Sequence, residues 1–327
     1  MTVFVTGASG FLGSHLVTRL VGQGHSVRSY GRSACLPAEL VGANIEHVQG
    51  DILNADALWR AISGCKYVFH LAGLVSYRKS DFERLHATNV LGTRNVLEAA
   101  RRASVERLIH VSSIAGMGIP PAGTIGNEKM EYNLRGLGLY YCDSKYGGEM
   151  EVLTYARRGL PALILSPGIT FGEGDTHPHH HTIFKSLASG RMLGYPKGGV
   201  TFSDIEDVVA TACNALRMGR EGERYVVGSA NYTFKEASQI VSKVIGGRPP
   251  VFPIPGLLSE LAGSACETIF PLFGLTPVLT RQIAWLSQRE IFFSSAKAIA
   301  ELAHKQTPFE ETVRRTATYY LPGTSIL

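Results

Sequence analysis

Short apolar, β-branched runs recur at 2–6, 26–30, 45–48, 66–71, 107–112, 162–166 and 225–227, and stretches with helical periodicity, such as 85–103 and 143–158, separate most of them. Brief apolar runs bounded by polar or glycine positions read as strands, whereas apolar residues three and four apart read as helices. Strands alternating with helices predict right-handed crossovers and a parallel, doubly wound sheet, an α/β fold. Past residue 167 the pattern loosens into Gly- and Pro-rich loops and short helices. The expected organisation is a principal α/β domain over 1–166, its sheet completed by 202–228, and a smaller lobe made mostly of 167–327.

One late stretch, Leu257 to Leu275, is strongly apolar but is interrupted by Glu260, Glu267 and Pro271. It is too short and too broken to span a bilayer, so a helix pair capping the lobe is expected and stable membrane insertion is not. Charged residues make up 18% of the 327-residue chain and are scattered, and the net charge of +5 suits small anionic ligands. Basic tracts interleaved with aromatics are missing, which excludes a nucleic-acid partner. The five cysteines have neither Cys-x-x-Cys nor zinc-ligand spacing. They read as reduced thiols, and a strand starting at residue 2 leaves no room for a signal sequence, so a cytoplasmic protein is expected.

Directly after the first apolar run stands Thr6-Gly7-Ala8-Ser9-Gly10-Phe11-Leu12-Gly13. A strand ending at Thr6 must turn sharply into a helix, and Gly7 tolerates the backbone angles of that turn. Gly10 has no side chain to block a pyrophosphate, and Gly13 lets helix and strand pack closely. Backbone N–H groups at the helix start, together with the positive end of its dipole, favour phosphate. Phe11, Leu12, His15, Leu16, Arg19 and Leu20 carry the helical alternation that this reading requires.

A second element, Tyr141-Cys142-Asp143-Ser144-Lys145, puts a tyrosine and a lysine four apart on one helix face. A tyrosine titrates near ~10 and needs help to exchange protons at neutral pH. An ammonium about 4 Å away at an effective dielectric near ~20 supplies roughly 4 kcal/mol, or about three pKa units, in favour of phenolate. Ser112 and Ser113 follow the strand residues His110-Val111, which places a hydroxyl at the carboxyl edge of the sheet, where it can donate to a carbonyl oxygen.

With these elements the chain resembles an extended short-chain dehydrogenase/reductase of the NAD(P)-dependent epimerase/dehydratase superfamily, over nearly its whole length. Asp51-Ile52 resembles the adenine-contacting position and His70-Leu71-Ala72-Gly73 the strand end beside the cofactor. Asn89-Val90-x-Gly92-Thr93 resembles the central-helix motif, and Ser166-Pro167-Gly168-Ile169 the nicotinamide-side loop. The resemblance selects Ser113 over Ser112 as the catalytic serine. It implies hydride transfer to a substrate carbonyl, with Tyr141 donating the proton, Lys145 lowering the tyrosine pKa and holding the ribose, and Ser113 orienting the carbonyl oxygen. It also implies a homodimer built on helices like 85–103 and 143–158.

NAD-preferring relatives carry an acidic residue at the end of the second strand; here that position is Gly31, followed by Arg32. Without that carboxylate, Arg32 or Arg28 can pair with a 2′-phosphate, so NADP(H) is expected over NAD(H). The substrate is expected to be a small molecule. Nucleotide-sugar epimerases resemble one another in a basic diphosphate clamp where this chain has Val200 and Thr201, and in an arginine where it has Ser166. An apolar ketone, as in enzymes resembling dihydroflavonol reductase or 3β-hydroxysteroid dehydrogenase, fits better. Phe252, Ile254, Leu257, Leu258, Ile269, Phe270, Leu272 and Phe273 supply apolar surface, most of it expected to be the lobe's own core. The run His177-Pro178-His179-His180-His181 lacks partners at ligand spacing, so no metal is expected. A cofactor-retaining epimerase or dehydratase is the alternative, and a non-catalytic NADP(H)-responsive regulator is disfavoured because Ser113, Tyr141 and Lys145 are all present.

Overall fold

The computed structural model describes residues 1–42, 44–175, 178–277 and 279–321. All seven apolar runs become strands: β1 (Thr2–Thr6), β2 (Ser26–Gly31), β3 (Ile45–Gln49), β4 (Tyr67–His70), β5 (Arg107–Val111), β6 (Ala162–Pro167) and, after an excursion, Arg224–Val227. They form one sheet in the order Arg224–Val227, β6, β5, β4, β1, β2, β3, and every neighbouring pair is parallel. The order reverses between β1 and β4, so the loops after these two strands diverge and open a crevice at the carboxyl edge.

Strand alternation assigns the core. Val3, Val5, Phe69, Ile109, Leu163 and Leu165 face the layer that holds helices Phe11–Gly22 and Ile205–Asn214. Phe4, Val68, Leu108, Ala162 and Ile164 face the layer that holds helices Ala55–Ile62, Thr93–Arg102 and Tyr140–Arg157. Covering both faces is what parallel strands require, and it explains why they read as continuous apolar runs.

The excursion between β6 and Arg224–Val227 starts a second, smaller sheet of Ile169–Phe171, Gly199–Asp204, Ala230–Thr233 and Glu290–Ile291. Its core is aromatic, with Phe171, Phe184, Phe202, Phe293, Phe309 and Tyr320 packed together under the helix Phe309–Tyr320. Asp204, fully buried, ties the two parts. Its carboxylate caps helix Ile205–Asn214 by accepting from the Glu206 and Asp207 N–H groups, accepts from Thr312 Oγ1 at 2.6 Å, and pairs with Arg315.

The apolar stretch near 257–275 forms the helix Gly256–Ile269 followed by a 3₁₀ turn Phe270–Phe273. The expectation that most of its apolar side chains form the lobe's core is overturned: Leu257, Leu258, Leu272 and Phe273 are 72%, 58%, 79% and 74% exposed. The helix meets the protein with its small residues, Ser259 and Gly263, because only these permit close approach to the backbone at Thr280. No helix among the described residues is long and apolar enough to cross a membrane.

Candidate active site

The carboxyl edge of the main sheet gathers the residues singled out in the sequence. Gly7 turns the chain at φ +74°, where a Cβ would stand 2.7 Å from the Ala72 nitrogen, so the loops after β1 and β4 touch. At Gly13 a Cβ would lie 2.0 Å from the Gly7 carbonyl oxygen, which makes the close helix–strand packing impossible for any other residue. Helix Phe11–Gly22 begins at Gly10 with no side-chain cap and no acidic residue in its first turn, and Ser9 and Gly10 are exposed. An uncapped, carboxylate-free helix start at a sheet switch point is what a pyrophosphate needs.

Around this cradle, Leu71 donates its N–H to the Thr6 carbonyl and Ala72 donates to Thr6 Oγ1, at 3.2 Å each. Thr6 Oγ1 then donates to His70 Nδ1 at 2.8 Å, and His70 Nε2 donates to Thr93 Oγ1 at 3.0 Å, because the Thr93 hydroxyl is already committed to the Asn89 carbonyl at 2.7 Å. Burial and the Lys145 charge hold His70 down to about 3, so it is neutral in this single tautomer. Asn89, in a π-helical turn Ala87–Gly92, accepts from the Leu74 N–H at 2.7 Å and donates to the Leu74 carbonyl and to Ser144 Oγ, at 2.9 Å each. Its amide thus clamps the loop holding Gly73 to the helix carrying Tyr141 and Lys145. The π-bulge there matches the frequent use of such bulges at functional positions.

Asp51 and Ile52 follow β3. Asp51 Oδ1 accepts from the Leu53 N–H at 2.9 Å, and Ile52 packs against Gly92, where a Cβ would fall 2.5 Å from its terminal methyl. Pro167 closes β6, Gly168 donates its N–H to Ser203 Oγ at 2.9 Å, and Ile169 opens the second sheet. At the end of β2, Arg32 is exposed and forms no ion pair among the described residues. Arg28 is removed from consideration as a 2′-phosphate partner: its guanidinium donates to Glu46 at 2.7 Å and to the Ala61 and Ser63 carbonyls at 2.9 and 3.0 Å.

The helix Tyr140–Arg157 starts early enough to include Tyr141, and both Tyr141 and Lys145 are buried. Ser113 sits at the end of β5, shares a hydrogen bond with the Tyr141 phenol, and accepts from the Ala115 N–H at 3.2 Å. Ser112 lies beside it, its hydroxyl turned away into the protein near Glu149. Burial, not the lysine, sets Tyr141: its pKa is raised above the ordinary tyrosine value, and the Ser113 hydrogen bond only partly offsets this. The expected depression of about three units by Lys145 is therefore corrected. The ammonium is turned toward the Val111 carbonyl, 3.4 Å away, and burial lowers it to about 8.

Several residues that matter here lacked a readable signal. Tyr77 packs edge-on against Tyr141 at 5.1 Å between ring centres. Glu149, one turn beyond Lys145, is fully buried, pairs with Arg224 at 2.6 Å and accepts from Ser166 Oγ at 3.3 Å. Its position four residues past the lysine was a usable helix-face clue, but its partner on the edge strand was not. Among the described residues no three His, Cys, Asp or Glu side chains gather to hold a metal. Of the run His177–His181, His181 packs its ring 5.2 Å from that of Tyr320, while His177 and the His179 and His180 side chains lie outside the described residues.

Comparison with known proteins agrees with this geometry. The model of the NAD dependent epimerase/dehydratase family matches residues 3–228. The chain is 35% identical over 262 residues to sterol demethylase protein B of Methylococcus capsulatus, covering 80% of this chain and 79% of that protein. It is 34% identical over 312 residues to the 4-hydroxy-2-methyl-3-oxo-4-farnesyl-3,4-dihydroquinoline-1-oxide ketoreductase of Stigmatella aurantiaca, covering 93% and 92%. The crystal structure of gox2253 superposes with a TM-score of 0.83 at 31% identity, covering 98% and 97% of the two chains. The chain belongs to the NAD dependent epimerase/dehydratase family and is an NAD(P)-dependent oxidoreductase of the extended short-chain dehydrogenase/reductase type.

Proposed function

We propose that the protein is an NADPH-dependent ketoreductase for an apolar small-molecule ketone, equally able to oxidise the matching alcohol. The observation that carries this reading is the convergence of Ser113, Tyr141 and Lys145 at the sheet edge, with Tyr141 buried and held protonated at neutral pH. Reduction of a carbonyl adds a hydride to carbon and a proton to oxygen, and the bound nicotinamide supplies the first. This chain supplies the second. Ser113 donates a hydrogen bond that orients the carbonyl oxygen, Tyr141 Oη delivers its proton there, and Lys145 stabilises the phenolate left behind. The uncapped turn at Gly7, Ser9, Gly10, Phe11, Leu12 and Gly13 would hold the diphosphate, and Asp51 and Ile52 the adenine. Leu71, Ala72, Gly73 and Lys145 would hold the nicotinamide ribose side, with Pro167, Gly168 and Ile169 against the ring. Asn89 would act by fixing Gly73 and Lys145 relative to each other.

Arg32 supports the phosphorylated cofactor, since it is the exposed cation at the end of β2 and Arg28 is tied elsewhere. Two observations disfavour a nucleotide-sugar substrate. Val200 and Thr201, at the clamp position, are 6% and 1% exposed, and Ser166 is fully buried, so none of the three can meet a diphosphate. The sterol and farnesyl-quinoline chemistry in the relatives' names supports an apolar substrate. The test is mass identification of the nucleotide released when freshly purified protein is denatured. Empty protein, or NADP that washes out, supports the exchanging reductase; near-stoichiometric NAD that survives dialysis overturns it in favour of the epimerase. Arg32→Ala is expected to weaken NADPH by roughly ten- to a hundredfold, the value of one charge-assisted contact, while leaving NADH unchanged. Equal effects on both cofactors would remove the assignment of Arg32.

A further inference from the structure

The helix Gly256–Ile269 is turned inside out. Only Ser259 and Gly263 are buried, while Leu257, Leu258, Leu261 and Ile269 face water, and the following turn adds Leu272 and Phe273, both more than 70% exposed. The outward residues recur three and four apart, so they form one continuous stripe along the helix. Soluble monomers rarely leave a contiguous apolar surface of this extent uncovered.

Charge is distributed to match. Between Pro249 and Thr280 the only ionisable side chains besides Cys266 are Glu260 and Glu267, and both are drawn to the inner side at residue 281: Glu267 accepts from the Arg281 N–H at 3.0 Å, and Glu260 lies 3.7 Å from its guanidinium. The outward stripe therefore carries no charge. Its one hydroxyl, that of Thr268, donates to the Ser264 carbonyl at 2.9 Å and needs no outside acceptor. The rim, by contrast, is cationic. Arg281 is 70% exposed, and Arg191 and Arg248 are exposed beside the apolar pair Leu193 and Val251, whose backbones are hydrogen-bonded at 2.8 Å.

We infer that this helix and its 3₁₀ turn form a docking surface for an anionic lipid bilayer, lying in the interface rather than crossing it. A 14-residue helix falls short of the roughly 20 residues that spanning needs. Leucine and phenylalanine toward the acyl chains with arginine at headgroup level is the charge and polarity pattern of an interfacial helix. A second copy of this chain is less well matched, because a protein partner would face a stripe with no free hydrogen-bonding side chain at its centre and three cations at its edge. Position adds a consequence. The helix packs on Arg281–Leu286, and Trp285 and Leu286 pack with Leu139 and Cys142, the residues flanking Tyr140 and Tyr141. A lipid surface held there would lie beside the entrance to the site. The docking itself does not depend on which ketone is reduced.

The test is flotation of the full chain with vesicles of phosphatidylcholine alone or with phosphatidylglycerol added. Wild type is expected to float with the anionic vesicles and to dissociate as salt is raised. Arg191→Gln and Arg248→Gln are each expected to weaken partitioning about fivefold, and Leu272→Glu/Phe273→Glu to abolish it. Unchanged thermal melting of the variants shows that the fold is kept. The arginine variants leave the apolar stripe intact, so they test the idea even where the double glutamate variant folds poorly. A wild-type chain that stays with the soluble fraction for both vesicle types overturns the inference. So does a wild-type dimer in sedimentation that ignores vesicles and becomes monomeric in the double variant, since that would assign the stripe to a second copy.

Discussion

At the scale of single residues, the state of Tyr141 decides the direction in which the site is poised. Burial raises its pKa, so below the ordinary tyrosine range it carries the proton that a ketone reduction consumes. Tyr141→Phe removes that proton and little else, because the ring keeps its packing against Tyr77. Turnover should fall by about 10³-fold, a typical general-acid contribution, with cofactor affinity nearly unchanged. Single-turnover hydride transfer and cofactor titration read the two quantities separately, and retained turnover would remove Tyr141 from the proton path. Lys145 sets the alkaline limit. Its pKa is lowered to about 8, so it is charged below that pH and neutral above it. If its ammonium stabilises the departing phenolate, kcat/KM for reduction declines as pH rises through about 8. In Lys145→Arg, whose charge persists, that decline should move to higher pH even if the maximum rate is lower.

At the scale of elements, the site depends on how the helix Tyr140–Arg157 is fastened. Glu149 anchors its buried face to Arg224 on the edge strand and to Ser166 on β6. Removing one member of a buried pair strands the other, so Glu149→Leu should cost about 3–5 kcal/mol, whereas Glu149→Leu with Arg224→Met should recover most of that loss. Denaturant unfolding of both variants and the wild type checks this, and additive losses would show that the two side chains are not coupled. The contrast between helix and partner also explains what was readable in advance. The strands were legible because a parallel sheet covered on both faces demands uninterrupted apolar runs, and Val3-Phe4-Val5 or Leu163-Ile164-Leu165 can be nothing else. The glycine loop and Tyr141/Lys145 were legible because their spacing is local. The pKa of Tyr141, the occupation of Arg28 by Glu46 and the Glu149–Arg224 pair were not, because each depends on a neighbour brought close only by the tertiary fold. The helix Gly256–Ile269 misled for a related reason: a periodic apolar stripe reveals a face, but not whether protein or solvent lies against it.

For the whole molecule, the part most exposed to acid is the hydrogen-bonded chain that joins the sheet to the helices beneath the site. It runs from Thr6 through His70 and Thr93 to Asn89 and on to Ser144, linking β1, β4, the central helix and the catalytic helix. His110 lies beside it, its ring centre 5.0 Å from that of His70. Burial depresses both, His70 to about 3 and His110 well below its ordinary value, and each also feels the other imidazole or the Lys145 charge. In the unfolded chain both imidazoles take up protons near pH 6.5. The folded state refuses those protons, so the unfolded state binds more of them as pH falls, and stability decreases from about pH 6.5 downward toward pH 3. Each histidine contributes a slope approaching 1.4 kcal/mol per pH unit. Between pH 6.5 and 5, where most exposed carboxylates remain ionised, this pair should dominate the loss. His110→Phe fills the same buried position without a titratable group, so the unfolding free energy of that variant should fall between pH 7 and 5 with roughly half the wild-type slope. A variant with the full wild-type slope would mean that the acid sensitivity lies elsewhere in the fold.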